Sequence, residues 1–148
     1  MYIIKVRTDR NLRSLIRNMT RIRDEMMHLT RPVLSTSHAG WTPDADIYET
    51  DQDVIVVVNL AGVQKEDIEV SYHENLLRVV GNRARVIPEG ENAHFHHMEI
   101  GNGEFERVFL IPVAIDADLI RATYVDGLLT VNMRKRPVNG GVQVNLRS

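Results

Sequence analysis

Cysteine is absent from the 148 residues, which excludes a disulfide framework and any thiolate metal site and suits a reducing compartment. Aromatic residues are scarce, at 5%, so a core must be built from β-branched and other aliphatic side chains. The 43% apolar content is enough for one. Long apolar runs are missing too. The longest, Val54 to Val58, is far too short to cross a bilayer, and the first residues lack the basic-then-apolar order of a secretory signal. A cytoplasmic protein is therefore expected, and Asn18-Met19-Thr20, formally a glycosylation acceptor, reads as chance. The length predicts one domain with tails.

A net charge of −2 conceals an asymmetry. Residues 1–40 carry eight Lys/Arg against three Asp/Glu, whereas residues 41–148 carry ten against seventeen. A basic arm can contact nucleic acid, anionic lipid or the acidic domains of sister subunits. The last is favoured, because no aromatic residues are interleaved with the arginines as single-strand binding requires. Neither nucleic acid nor membrane contact is expected.

What is present is a repeated hairpin pattern. Ile120 to Arg134 holds two β-rich runs around Asp126-Gly127, and a two-residue type I′ loop needs φ > 0 at both positions, which this pair tolerates. Such a loop sets Tyr124 opposite Leu129, Ala122 opposite Val131 and Ile120 opposite Met133, giving one apolar face. Arg121, Thr123, Thr130 and Asn132 line the other. Ile68 to Val80 repeats the pattern without gaps, with Tyr72 matching Tyr124, Val79 matching Val131 and Glu74-Asn75 in the place of Asp126-Gly127. Two half-buried hairpins predict two sheets packed face to face, an all-β sandwich. Duplication and shared hairpin physics explain the match equally well.

In chain order, residues 1–8 read as a short strand or an unfixed tail. From Asp9, a candidate N-cap, Leu12, Leu15, Ile16, Met19, Ile22, Met26 and Leu29 recur at helical spacing. A lone helix of about 20 residues is marginal unless its stripe is buried, so this stripe is expected to mediate self-association, packing on the domain or adaptable binding. Its methionines suit varied partners. Arg31 to Gly40 reads as a linker. Ala45 to Thr50 alternates as a half-buried strand, and Val54 to Leu60, apolar on both faces, predicts a central strand. Residues 82–103 form a long connection in which His94 to Ile100 has strand character and suits pairing with another chain. Glu104 to Pro112 follows, with Arg107 on an otherwise apolar face, where it needs a carboxylate partner or an interface.

Chemistry is sparse. His94 and His96 share a strand face but lack a cysteine to complete a tetrahedral site, so no metal or other cofactor is expected. His94, His96 and His97 instead suggest a pH-sensitive contact that loosens as pH falls toward 5.5. There is no Walker loop and no Gly-x-Ser-x-Gly elbow, and pairs such as Glu66/Asp67 sit in turns. No catalytic residues are assigned.

A family resemblance rests on several of these residues together. Gly103-x-Phe105-x-Arg107-x-Phe109-x-Ile111-Pro112, followed by Ala122-x-x-x-Asp126-Gly127-Leu128-Leu129, resembles the signature of the α-crystallin domain of small heat-shock proteins. Leu60-Ala61-Gly62, Glu66-Asp67-Ile68 and Leu76-Leu77-x-Val79-x-Gly81 are similar to its earlier motifs. Ala61 stands where proline is usual, and Asn132 is polar within the last strand. The resemblance implies an immunoglobulin-like sandwich over residues 41–136, which leaves a partly helical arm over 1–40 and an extended tail over 137–148. It implies an ATP-independent holdase for unfolding clients, which are handed on to ATP-dependent chaperones. The long loop looks like the bacterial, archaeal and plant type, in which a loop strand swaps into the partner's sheet. His94, Phe95, His96, His97, Met98, Glu99, Ile100 and Arg107 would then form the dimer interface.

Val142-Gln143-Val144 resembles the family's I/V-x-I/V anchor, which implies docking on a neighbouring subunit. The groove lies between the strands around Ile68, Val70 and Tyr72 and those around Ile120, Ala122 and Tyr124. Each valine contributes about 1.5–3 kcal/mol if fully buried, and ordering the tail offsets much of that, so the docking is expected to be exchangeable. Clients would bind at this groove or at the arm. The competing reading is a p23-like monomeric adaptor sandwich, which oligomer size separates from a large homo-oligomer.

Overall fold

A computed structural model describes residues 1–7, 40–85, 87 and 92–137. Among these residues, nine strands form two sheets. Strands β1 (Tyr2–Ile4), β3 (Ala45–Glu49), β4 (Asp53–Asn59), β8 (Arg121–Val125) and β9 (Leu128–Arg134) make one, in the order β1-β8-β9-β4-β3. Strands β2 (Val6–Arg7), β5 (Ile68–His73), β6 (Leu76–Arg83) and β7 (Gly103–Leu110) make the other, in the order β2-β5-β6-β7. The expected helical stripe from Leu12 to Met26 and the Val142/Val144 tail lie outside the described residues.

Both hairpins form in the expected register. Tyr124 faces Leu129 and Ala122 faces Val131, while Tyr72 faces Leu77 and Val70 faces Val79. The turn residues adopt the left-handed backbone that two-residue loops require: Glu74 and Asn75 have φ of 45° and 66°, Asp126 and Gly127 of 51° and 78°. Each hairpin contributes its apolar face to the interior. Val70, Leu77 and Val79 of one sheet meet Ala122, Leu129, Val131 and Met133 of the other, all fully buried. Strand β4 pairs with both β3 and β9 and buries successive residues Val54, Ile55 and Val56, as a strand apolar on both faces does.

Two parts of the chain differ from the sequence expectation. Residues 2–7 are neither a single strand nor an unfixed tail. They divide between the sheets, with Tyr2–Ile4 antiparallel to β8 and Val6–Arg7 parallel to β5. His94 to Ile100, which has strand periodicity, forms no strand within the subunit. A strand needs an edge to pair with, and the sheet edges of the same chain are not bonded to it. Its Phe95 and Ile100 side chains are exposed.

Candidate functional site: the seam between β5 and β8 and an exposed loop

The hairpins place β5 and β8 on the same side of the sandwich, where each would be the last strand of its sheet without residues 2–7. Ile68, Val70, Tyr72, Ile120, Ala122 and Tyr124, the six residues expected to line a groove there, lie on or next to these two strands. All six are buried. Residues 2–7 cover these strands within the subunit: Ile4 is buried in the core cluster and Val6 packs against it, while Ile3 is 69% exposed.

Tyr124 fixes the β8 wall. Its hydroxyl is shared between the carbonyls of Leu60 and Val63, at 2.7 and 2.9 Å, which ties the segment after β4 to the hairpin. Burial raises the Tyr124 phenol pKa, with Arg83 pulling weakly the other way. Tyr72 on the opposite wall donates to Asn75 Oδ1 at 3.2 Å, and burial raises its pKa too, against a smaller influence of Arg136.

Within the subunit Arg107 hydrogen-bonds a backbone carbonyl rather than a carboxylate. Its guanidinium donates to the backbone carbonyl of fully buried Pro43 at 2.6 Å and lies 5.0 Å from the Phe109 ring centre. Burial lowers its pKa, and nearby Asp44 partly compensates. The bond ties β7 to the chain entering β3, which pairs through only one side in the described residues. Strand β3 exposes Ile47 and Tyr48, and the loop exposes Phe95, Met98 and Ile100. His94 and His96 are exposed in that loop, and His97 lies 2.8 Å from Glu99. The loop leaves β6 at Arg83, which stacks 3.5 Å over Trp41 and donates to the Gly101 carbonyl at 2.9 Å. Both ends of the loop are thus held to the sandwich, since Trp41 Nε1 also donates to the Gly103 carbonyl.

No group of His, Cys, Asp and Glu among the described residues is arranged to hold a metal, and no described helix is long and apolar enough to cross a membrane. Sequence reasoning missed Ile4, Val6 and the Pro43 carbonyl. A signal for the first two was present: Ile4-Lys5-Val6 has the same β-branched i, i+2 spacing as Val142-Gln143-Val144.

The comparisons with known proteins agree with this architecture. The model of the Hsp20/alpha crystallin family matches residues 46–144. Heat shock protein 16 of Schizosaccharomyces pombe is 38% identical over 98 residues, covering 64% of this chain and 66% of its own. The 22.7 kDa class IV heat shock protein of Pisum sativum is 32% identical over 105 residues, which are 70% of this chain and 51% of that protein. The chain thus spans about half to two thirds of the length of these curated relatives. Among solved structures, a small heat-shock protein from Xylella fastidiosa, described as having a distinct high order structure, superposes with a TM-score of 0.61 at 29% identity. The alignment covers 74% of this chain and all of that one. The heat shock protein 16.0 structure from Schizosaccharomyces pombe gives a TM-score of 0.57 at 35% identity over 64% of this chain and 87% of that one. With a family match over two thirds of its length and a sandwich of the same architecture, this chain belongs to the Hsp20/alpha crystallin family.

Proposed function

We propose that the protein is an ATP-independent chaperone, a holdase that binds unfolding proteins and keeps them from aggregating. One observation carries the reading: β5 and β8, each outermost in its sheet but for the short strands β2 and β1, flank a buried apolar seam that an extended segment bridges. Such a site recognises backbone and alternate apolar side chains rather than one ligand, which suits a binder of unfolded chains better than an enzyme. The proposed setting is the cytoplasm, with hand-off of held clients to ATP-dependent chaperones.

Self-association supplies the rest of the mechanism. The segment His94–Ile100 pairs with the free edge of β3 in a partner subunit, which covers Ile47, Tyr48, Phe95, Met98 and Ile100, all exposed in the single chain. Arg107 holds that edge through Pro43. The Val142/Val144 tail docks at the β5/β8 groove of a neighbour, and the stripe from Leu12 to Met26 adds contacts to subunits or clients.

The test is light scattering after size exclusion on the full chain and on Val142→Ala/Val144→Ala, with a heat-unfolding test protein added to each. A large assembly that suppresses aggregation, and a double variant reduced to dimers, are the expected results. A monomeric full chain that leaves aggregation unchanged would overturn the reading and favour a monomeric adaptor.

A further inference from the structure

We infer that residues 2–7 are a displaceable strap occupying the groove that Val142–Val144 of a neighbouring subunit enters, so that two segments of the same chain compete for one socket. The inference rests on the tail-anchor reading above and specifies what controls it.

The strap crosses the sandwich seam in six residues. Three pair with β8, from Tyr2↔Tyr124 to Ile4↔Ala122, and two pair with β5, at Val6↔Val70 and Arg7↔Ser71. Lys5, exposed and in neither strand, is the crossing point. The inward side chains are therefore Ile4 and Val6, two β-branched residues at i and i+2. Val142 and Val144 also offer two β-branched side chains at that spacing, with valine in place of Ile4, and an extended segment places both on one side. The hydrogen-bonding requirement also matches. When the strap leaves, β5 and β8 both become open sheet edges, with unpaired N–H and C=O groups facing the seam, and only another extended segment restores them.

The strap is built to be released. Five residue pairs hold it. Its only ion pair among the described residues, Arg7 to Glu69 at 3.5 Å, is more than half exposed on both sides and contributes little. Its outer face is in water, since Ile3 and Lys5 are exposed. A tail arriving from another subunit meets a groove whose occupant is short and held at high local concentration by the chain itself. Docking of the tail thus reports the fraction of open grooves as well as the intrinsic fit.

The absence of cysteine allows a direct test. Ile3 lies opposite Thr123, and neither is buried, so Ile3→Cys/Thr123→Cys introduces a reversible lock. The acceptor is the full chain carrying Val142→Ala/Val144→Ala, which silences its own tail. The probe is a fluorescent peptide of residues 138–148, followed by anisotropy. Oxidised, the locked chain is expected to bind the peptide at least tenfold more weakly than the same chain reduced. Ile4→Ser/Val6→Ser is expected to bind it at least fivefold more tightly than the unlocked parent. Equal binding by the oxidised and reduced chains would overturn the strap while leaving the tail anchor intact. No binding by any form would overturn the tail anchor itself. The oxidised-to-reduced comparison uses one protein and does not depend on the serine variant folding.

Discussion

Gly127 meets the backbone of Ala61 so closely that a Cβ on the glycine would lie 2.7 Å from the Ala61 Cα. The Gly127 carbonyl also accepts from the Leu60 N–H at 2.7 Å. The hairpin tip of β8–β9 is therefore clamped to the segment leaving β4, and the glycine's φ of +78° adds a backbone requirement to the steric one. Gly127→Ala is expected to cost about 1–3 kcal/mol, read as a lower urea midpoint. An unchanged midpoint would show that the contact relaxes freely.

The equivalent tip at Glu74-Asn75 is tied in the same way, its Asn75 carbonyl accepting from the Ile111 N–H at 2.7 Å, but it holds a glutamate at φ 45°, a conformation better suited to asparagine or glycine. Glu74→Asn is expected to stabilise the domain by about 0.5–1 kcal/mol. Its exposed contact with His73, at 3.6 Å, is a minor loss. A fall in the unfolding midpoint would contradict this.

Tyr124→Phe removes a hydroxyl shared by two buried carbonyls. Leu60 keeps its bond from the Val63 N–H, but the Val63 carbonyl loses this partner, so a cost of about 1–3 kcal/mol is expected. The alkaline limb of stability changes as well. Because burial raises the Tyr124 pKa in the fold, the folded state holds this proton more tightly. Its contribution is complete below the ordinary tyrosine value of about 10 and is lost as pH rises from there through the folded pKa. The variant should lose stability less steeply above pH of about 10, with Tyr72, raised in the same sense, preserving part of the slope. Identical slopes would dismiss the assignment.

Arg107→Ala leaves the Pro43 carbonyl without this donor inside the fold. The expected cost is about 1.5–3 kcal/mol, the range for a hydrogen bond to a charged group, seen as a drop of several degrees in the thermal midpoint. Faster amide exchange along β3, which Pro43 precedes, is the accompanying sign. A variant with full stability and unchanged exchange would mean that the bond holds nothing in place.

The hairpins were legible because their information is local: a turn pair, strict alternation and an apolar face all lie within about fifteen residues, and each constrains the others. The central strand β4 was legible from Val54 to Val58 for the same reason. For residues 2–7 a short strand was legible but its division between two sheets was not, since three and two residues carry no period and their partners lie far along the chain. The Pro43 carbonyl was invisible in a different way. A side-chain pattern marks Arg107 as needing a partner but says nothing about which backbone group supplies one. The loop residues His94 to Ile100 show strand periodicity without a strand in the subunit, because pairing depends on an available edge as much as on the segment.

The strap also sets an order of events in folding. Its partners on β8 lie more than a hundred residues downstream, so loop-closure entropy delays its docking until the second hairpin has formed. During synthesis the strap residues emerge before β8 and cannot pair with it until residues 121–125 have been made. Closure of the seam is therefore a last step, and a sandwich caught before it would show its open edges to whatever extended chain is nearby.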